Sequence, residues 1–406
     1  MTTSIRSTLS LFAALAFAIS IQAADVTVSG EKKSFDEDDV IDNLIISDGG
    51  RVHLDGTTIN GHITISTGGK LVAEDITVTG SIQADGAARV EIEDSEIEGD
   101  FEVRQSTGVI WLFDVDVDGS ARIENNDAAF IAVEWSHIYQ DLRVTDNDVE
   151  EDISLLINDV EGELLVSENK AGWYHIIDNI VVGNATIADN EAAEEIEVAA
   201  NEYIGGDLGV TGNVAEKINV QENGVIGGLR VWRNEADGSI RVREHEYIGL
   251  DLEVSENQAE ELRVQENEVL GSIYVRQNEV EGAIKVRNNP FVGVDLEVTQ
   301  NSSDSLLVED HYVFGDMTIW QNVVEEGIEV KDNTVEGNVQ ISENEAEEIE
   351  VSDNLIGLNL ELLNNIATDD FKVEDNHVVG DLLCQGNDED PDLDDNDVDG
   401  TVTCTD

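Results

Sequence analysis

A short apolar-x-apolar element recurs from Leu44 to the end of the chain, and it limits the possible folds more than any other feature. Its first residues are Leu44, Ile63, Ile82, Phe101, Ala121, Leu142, Leu164, Ala185, Leu208, Leu229, Leu252, Ile273, Leu296, Met317, Val339, Leu360, Leu382 and Val402, 18 copies in all. The spacing starts at 19 residues and settles at 21 to 23. Self-similarity at so short a period is the mark of a repeat architecture. Alternation with period two means strand. A second strand follows in each copy, as in Ile196-Glu197-Val198, Ile218-Asn219-Val220 and Ile349-Glu350-Val351. Both strands lead into Asn. One column runs from Asn147 through Asn234 to Asn387, the other from Asn158 through Asn223 to Asn396. His245 and His311 occupy Asn slots in the second column, and Gly recurs four residues beyond it, as at Gly205, Gly227, Gly249 and Gly271.

This pattern predicts a solenoid in which each coil is two short strands joined by tight turns. The apolar positions point inward and stack on their equivalents in the next coil, since no single coil can bury a core but a stack can. Gly is expected to serve a turn with positive φ. Asn is expected to hold a left-handed corner and to stack as ladders. With coils rising by about 4.8 Å, 18 of them make a rod of roughly 85 Å.

The repeat, with its runs Asp332-Asn333-Thr334-Val335-Glu336-Gly337-Asn338 and Val378-Val379-Gly380-Asp381-Leu382-Leu383-Cys384, resembles the right-handed parallel β-helix of pectin-lyase-like proteins, and in particular uncharacterised exported bacterial repeat proteins. The resemblance implies an all-β, single-stranded right-handed parallel β-helix of about 18 coils, with 19–23 residues per coil. It brings no established activity. The expected organisation is a signal peptide over 1–23, an irregular N-terminal cap over 24–40, and the β-helix over 41–406. Cys384 and Cys404 take the same register position in the last two coils. Stacked neighbours fall within disulfide range, so this pair is expected to pin the terminal coil.

The N-terminal segment has a basic start ending at Arg6, an apolar stretch from Leu9 to Ile21, and Ile21-Gln22-Ala23 as a cleavage site, which reads as a secretory signal. No later apolar stretch has membrane-spanning length. The expectation is a protein that is secreted, periplasmic or at the cell surface, with no membrane span, and a monomer. The chain carries 21 Lys+Arg against 90 Asp+Glu, a net charge of −69 that becomes −70 once Arg6 is removed. Nucleic acid is excluded as a general partner, because phosphate binding needs a basic surface. Apolar residues at 40% are too many for a disordered acidic chain.

Along the rod this charge amounts to roughly one per 1.2 Å, denser than the one per about 1.7 Å of duplex DNA. Stacked like charges on neighbouring strands are destabilising, so cations must accompany the fold. One reading is a solvated acidic surface that keeps a repeat protein soluble. The other is specific Ca²⁺ binding by hard oxygen ligands. Asp388 to Asp399 holds eight carboxylates in twelve residues, and Asp395-x-Asp397-x-Asp399-Gly400 matches the opening of a calcium loop. Asp114-x-Asp116-x-Asp118-Gly119 matches too, and neither has the helix flanks of an EF-hand.

Basic residues concentrate in one stretch, with Arg230, Arg233, Arg241, Arg243, Arg263, Arg276, Lys285 and Arg287 inside 58 positions. Alternation places Arg241, Arg263 and Lys285 outward on successive coils, with Arg243 and Arg287 adjoining. Trp232, Arg276 and Trp320 share one position two coils apart, about 9.6 Å, with Tyr274 nearby. An exposed stripe of this kind could stack on sugar rings or grip an anionic glycan. The alternative is a salt-bridge ladder that balances local Glu. Nucleophile, phosphate-loop and zinc spacings are absent from the sequence. The resulting expectation is a non-catalytic exported rod that binds cations and, through the stripe, polysaccharide. A polysaccharide lyase or hydrolase is the alternative, and an end-to-end assembling structural protein is a third.

Overall fold

The computed structural model describes residues 23–37 and 39–405, so all but the last residue of the segment read as a signal lies outside the described residues. Every described element is a strand, and none is a helix long and apolar enough to cross a membrane. All strand pairings are parallel and join each coil to the next, giving a β-solenoid of about 18 turns. The coil that starts at Leu208 is representative. It has strands Leu208–Thr211, Val214–Gln221 and Gly224–Val225, which pair in register with Leu229–Trp232, Glu235–Arg243 and Tyr247–Ile248 of the next coil.

This coil therefore has three strands and three corners, where alternation predicted two strands. The third strand is two residues long with a single inward side chain, such as Val225, Ile248 or Val269, all fully buried. One inward residue cannot display a period of two. The coil length varies at a bulge in the second strand, where register shifts between Ala236 and Ser239 and at equivalent places. An extra residue there leaves the stacked inward positions untouched.

The interior is a set of apolar columns. Leu229, Val231, Ile240, Val242 and Ile248 are inaccessible, and each lies on its equivalent in the flanking coils. Two further columns are polar. In the first, the Asn234 N–H and Nδ2 donate to Asn257 Oδ1 at 3.0 and 3.1 Å, and Nδ2 also donates to the Val210 carbonyl at 2.8 Å. Asn234 Oδ1 in turn accepts from the N–H and Nδ2 of Asn213, both at 3.0 Å. The column extends further than the sequence reading had it, to Asn126, and Ser106 then takes over the acceptor role with its Oγ. The second column is built the same way, with Asn158, Asn179 and Asn201 in succession.

Two expectations about the corners are corrected. The left-handed residue is the one before each Asn, as in Asp146, Glu168, Arg233 and Glu256, and even Ile157 adopts φ 56°. The Asn is freed from that strain and turns its amide inward. The recurring Gly, for its part, lacks a positive φ. At Gly227 a Cβ would stand 2.3 Å from Asp207 Oδ1 and 2.6 Å from the Gly206 carbonyl of the preceding coil, so close approach demands Gly. That Asp207 oxygen accepts the Gly228 N–H at 2.8 Å. The third corner thus has its own carboxylate or amide ladder, repeated at Asp251, Asp295, Asp316 and Asn359.

The ends are simpler than expected. The segment read as an irregular cap holds two ordinary strands, Ala24–Ser29 and Lys32–Phe35, paired in parallel with the first full coil. Cys384 and Cys404 are register partners and form a disulfide with Cα atoms 4.3 Å apart, as expected.

Replacing Asn234 with Ala strips two buried Asn213 donors of their acceptor and leaves the Val210 carbonyl unmatched by a side chain. Asn234→Ala should lower stability by on the order of 3 kcal/mol, read from the urea midpoint at unchanged slope. Asn234→His should lose far less, because His already serves at 245 and 311. Equal losses for the two variants would contradict the ladder as the source of the effect.

Candidate functional site

The two His in Asn slots are structural, as their register implied. His311 Nδ1 accepts the Asn289 N–H at 3.3 Å, while Nε2 contacts the Val286 carbonyl at 2.9 Å and so carries the proton. His245 Nδ1 accepts the Asn223 N–H at 3.0 Å. Burial lowers the pKa of both from the ordinary 6.5 to about 4, against smaller raising effects of their backbone partners.

The Arg and Trp stripe divides into two groups on different faces, separated by the first Asn corner. On the first face Trp232, Ser255, Arg276, Thr299 and Trp320 follow one another in register, and Tyr274 stands in the neighbouring column beside Glu253 and Glu297. On the second face Arg241, Arg263 and Lys285 form one column, and Arg243, Gln265 and Arg287 form the adjoining one. The outward register is as expected. The exposure is not, since all nine side chains singled out lie half-buried along the surface.

Most of the cations are already engaged. Glu253 receives Arg230 at 2.9 Å and Arg276 at 2.6 Å. Burial acts to raise the Glu253 carboxyl, but hydrogen bonds from Arg276 and Ser255 outweigh it and hold the group below its usual range. Glu261 likewise bridges Arg263 at 2.7 Å and Lys285 at 3.0 Å. Arg243 reaches Glu244 and Gln221, and Arg287 reaches Gln265. Arg233 lies over the Trp232 ring at 3.9 Å while also pairing with Glu256. Arg241 makes no ion pair among the described residues, and its Nε is buried without a partner. These are ion-pair ladders across coils, with little free positive charge for an anionic ligand.

Two open grooves flank the stripe. One, of about 800 Å³ on the first face, has a floor of small residues such as Thr186 and Gly209 and a rim that includes Arg230, Glu253, Tyr274 and Arg276. Trp232 and Trp320 lie outside it. Its carboxylates Asp207, Asp251, Glu253 and Glu297 outnumber its two guanidiniums. Burial and the neighbouring Asp295 raise the Glu297 carboxyl above its ordinary range. The other groove, of about 790 Å³, runs along the second corner and gathers seven carboxylates between Asp178 and Glu268. Sequence reading missed it because its members come from both sides of the Asn column, in five successive coils.

The proposed calcium ligands stand apart from both grooves. Asp395 is the left-handed residue before Asn396, Asp397 lies in the strand Asp397–Val398 with its carboxylate 3.1 Å from His377 Nδ1, and Asp399 lies in the turn that follows. All three are exposed, as are Asp114, Asp116 and Asp118. Among the described residues no group of three or more His, Cys, Asp or Glu side chains is arranged to hold a metal ion. No protein-family model and no curated protein matches the sequence, so the likeness to pectin-lyase-like proteins rests on repeat and architecture alone.

His245 and His311 bind protons less readily folded than unfolded, so their neutral burial contributes fully above pH 6.5 and is lost as pH falls towards 4. The loss is on the order of 3 kcal/mol for each. A His245→Asn/His311→Asn chain should lack this component. Between pH 7 and pH 4.5 its urea midpoint should fall clearly less than the parent's. Parallel curves for the two proteins would refute the assignment.

Proposed function

We propose that this chain is an exported, non-catalytic rod that works at the cell surface or in the surrounding matrix through its acidic exterior, by binding cations, Ca²⁺ foremost. The observation that carries the reading is the carboxylate-lined groove of the second corner, seven acidic side chains along one edge of the rod. The stacking of coils places these like charges at the spacing of the strands beside them, and cations lower their repulsion. The disulfide between Cys384 and Cys404 suits an oxidising compartment outside the cytosol.

A polysaccharide is the second partner this reading includes. Its support is the groove around Tyr274, which offers an aromatic face beside both donors and acceptors, Arg276 and Glu297 among them. Because the groove carries more carboxylates than guanidiniums, a neutral sugar suits it better than an acidic one.

Thermal unfolding in Ca²⁺, in Mg²⁺ and in NaCl at matched ionic strength separates specific binding from screening. The expected result is a rise in melting temperature largest in Ca²⁺, with a part that Glu222→Gln/Glu244→Gln, in the second-corner groove, removes. Equal rises in all three salts would contradict ion-specific binding and leave only charge screening.

A further inference from the structure

We infer that the third side of the rod is a level, uncharged platform for a neutral polysaccharide, a β-1,4-linked chain lying along the rod axis with its sugar rings against Tyr203, Tyr247 and Phe291. This deepens the polysaccharide part of the reading above and rests on it, but it places the chain across the third corner from the groove around Tyr274.

The first observation is the absence of charge. Between Ile180 and Gly315 seven successive coils each give four residues to this side, the two-residue third strand and the two residues after it. Of these twenty-eight residues only Glu268 is charged, in a chain of net charge −69. The strip is also in water. Ile226, Leu250, Leu270, Val294 and Phe314, one in each of five successive coils, are between 42% and 62% exposed. Seven coils at the strand spacing make it about 29 Å long. A soluble chain rarely leaves so long an apolar strip open unless a partner covers it.

The second observation is the placing of the aromatic rings. The short strands stack in register, so Tyr203, Tyr247 and Phe291 share one outward column at every second coil, with Gly224 and Glu268 between them. The interval is about 9.6 Å, roughly the length of a disaccharide in an extended chain. Each of the three stands two residues before a glycine, Gly205, Gly249 and Gly293. A Cβ on Gly205 would meet Tyr203 Cε1 at 3.0 Å, and one on Gly249 would meet Tyr247 Cε1 at 3.2 Å, so these two rings lie down along the surface over the glycines. In the intervening coils the glycine position holds Ile226 or Leu270, and the aromatic position holds Gly224 or Glu268. Ring and aliphatic side chain thus take turns, which keeps the strip level. Tyr312 carries the column one coil further, its ring 6.3 Å from that of Phe291 and 22° from parallel.

Shape and charge together choose the occupant. An aromatic ring lying on a surface offers its face to the C–H face of a sugar ring. In a β-1,4-linked chain alternate sugars are turned over, so the same face returns once per disaccharide, the interval of the rings on this side. The edges of the strip are acidic. Asp207, Asp251 and Asp316 line the edge at the third corner, and Glu202 and Glu246 line the opposite one, all exposed. A flat sugar chain has apolar faces and a rim of hydroxyls, and carboxylates accept hydrogen bonds from hydroxyls. An acidic polysaccharide or an anionic lipid surface would be repelled by both edges. A second copy of the rod would bring the same acidic edges against its own. A neutral chain meets neither obstacle.

The test mixes the purified full chain with microcrystalline cellulose and with chitin and measures the protein retained at low and at high NaCl. Retention should be equal at both salt levels, because no ion pair carries it. Tyr203→Ala/Tyr247→Ala should weaken it roughly tenfold or more. Tyr203→Phe/Tyr247→Phe should keep it, since the ring face and not the hydroxyl makes the contact. Both variants alter outward side chains and should keep the parent's circular dichroism. Soluble cellohexaose, titrated by calorimetry, separates this site from the groove. Cellohexaose binding that Tyr274→Ala abolishes and Tyr203→Ala/Tyr247→Ala leaves intact would overturn the platform while sparing the polysaccharide reading. A parent that neither is retained on the polymers nor binds cellohexaose would overturn both. A dimer in sedimentation velocity, or co-sedimentation with phosphatidylcholine vesicles, that Tyr203→Ala/Tyr247→Ala abolishes in the absence of any retention would give the strip to a second copy or to a membrane, and that too would overturn the proposal.

Discussion

The buried asparagine amide is the interaction on which the rest of this rod depends. An amide removed from water needs partners for its oxygen and for both protons. Within one coil it has none. Asn257 takes its partners from Asn234 and the Val231 carbonyl on one side and from Asn278 on the other. A coil is thus satisfied only between two others, and the requirement passes along the stack in two parallel columns. The corner geometry follows from it. The backbone must turn sharply for the amide to face inward, and the left-handed step falls on the residue before. Among the described residues 29 non-glycine residues have positive φ, far too many for local accident, and side chains as unsuited as Ile157 and Trp135 are among them. Strain of this kind persists only where the surroundings over-determine it.

With the interior and the corners fixed this way, the outward positions are free of structural duty, and they are where the charge accumulates. The ladders of backbone hydrogen bonds and buried apolar columns hold strands together whatever the outward column contains. Glu329 stacks on Glu350 in one column, while Arg263 stacks on Lys285 in another and is relieved by Glu261. What such a scaffold presents outward is columns, with charge and shape repeated at the strand spacing. The acidic second corner is a feature of this type.

Much of the architecture was legible because inward residues and Asn repeat at a nearly constant interval. The register of the Cys pair and of Trp232, Arg276 and Trp320 could be read directly, since a residue's place in the repeat is its place in the stack. What stayed hidden has physical reasons. The third strand has one inward residue and no alternation to see. Gly227 looked like a turn residue because sequence does not reveal an oxygen of the preceding coil 2.3 Å from its missing Cβ. The stripe looked exposed because alternation gives direction but not how a long side chain lies down on its neighbours, as Arg276 does on Tyr274 and Glu253.

Two columns of buried side-chain amides hold the coils of the rod together. Residue-resolved amide hydrogen exchange tests it most directly. The backbone N–H groups of Asn234, Asn257 and Asn278 lie at turns, where no strand partner protects them, and each donates instead to the side-chain oxygen of the next Asn. They should exchange as slowly as the N–H groups of the core strands beside them. Exchange at the rate of exposed turns, with the strands still protected, would contradict it.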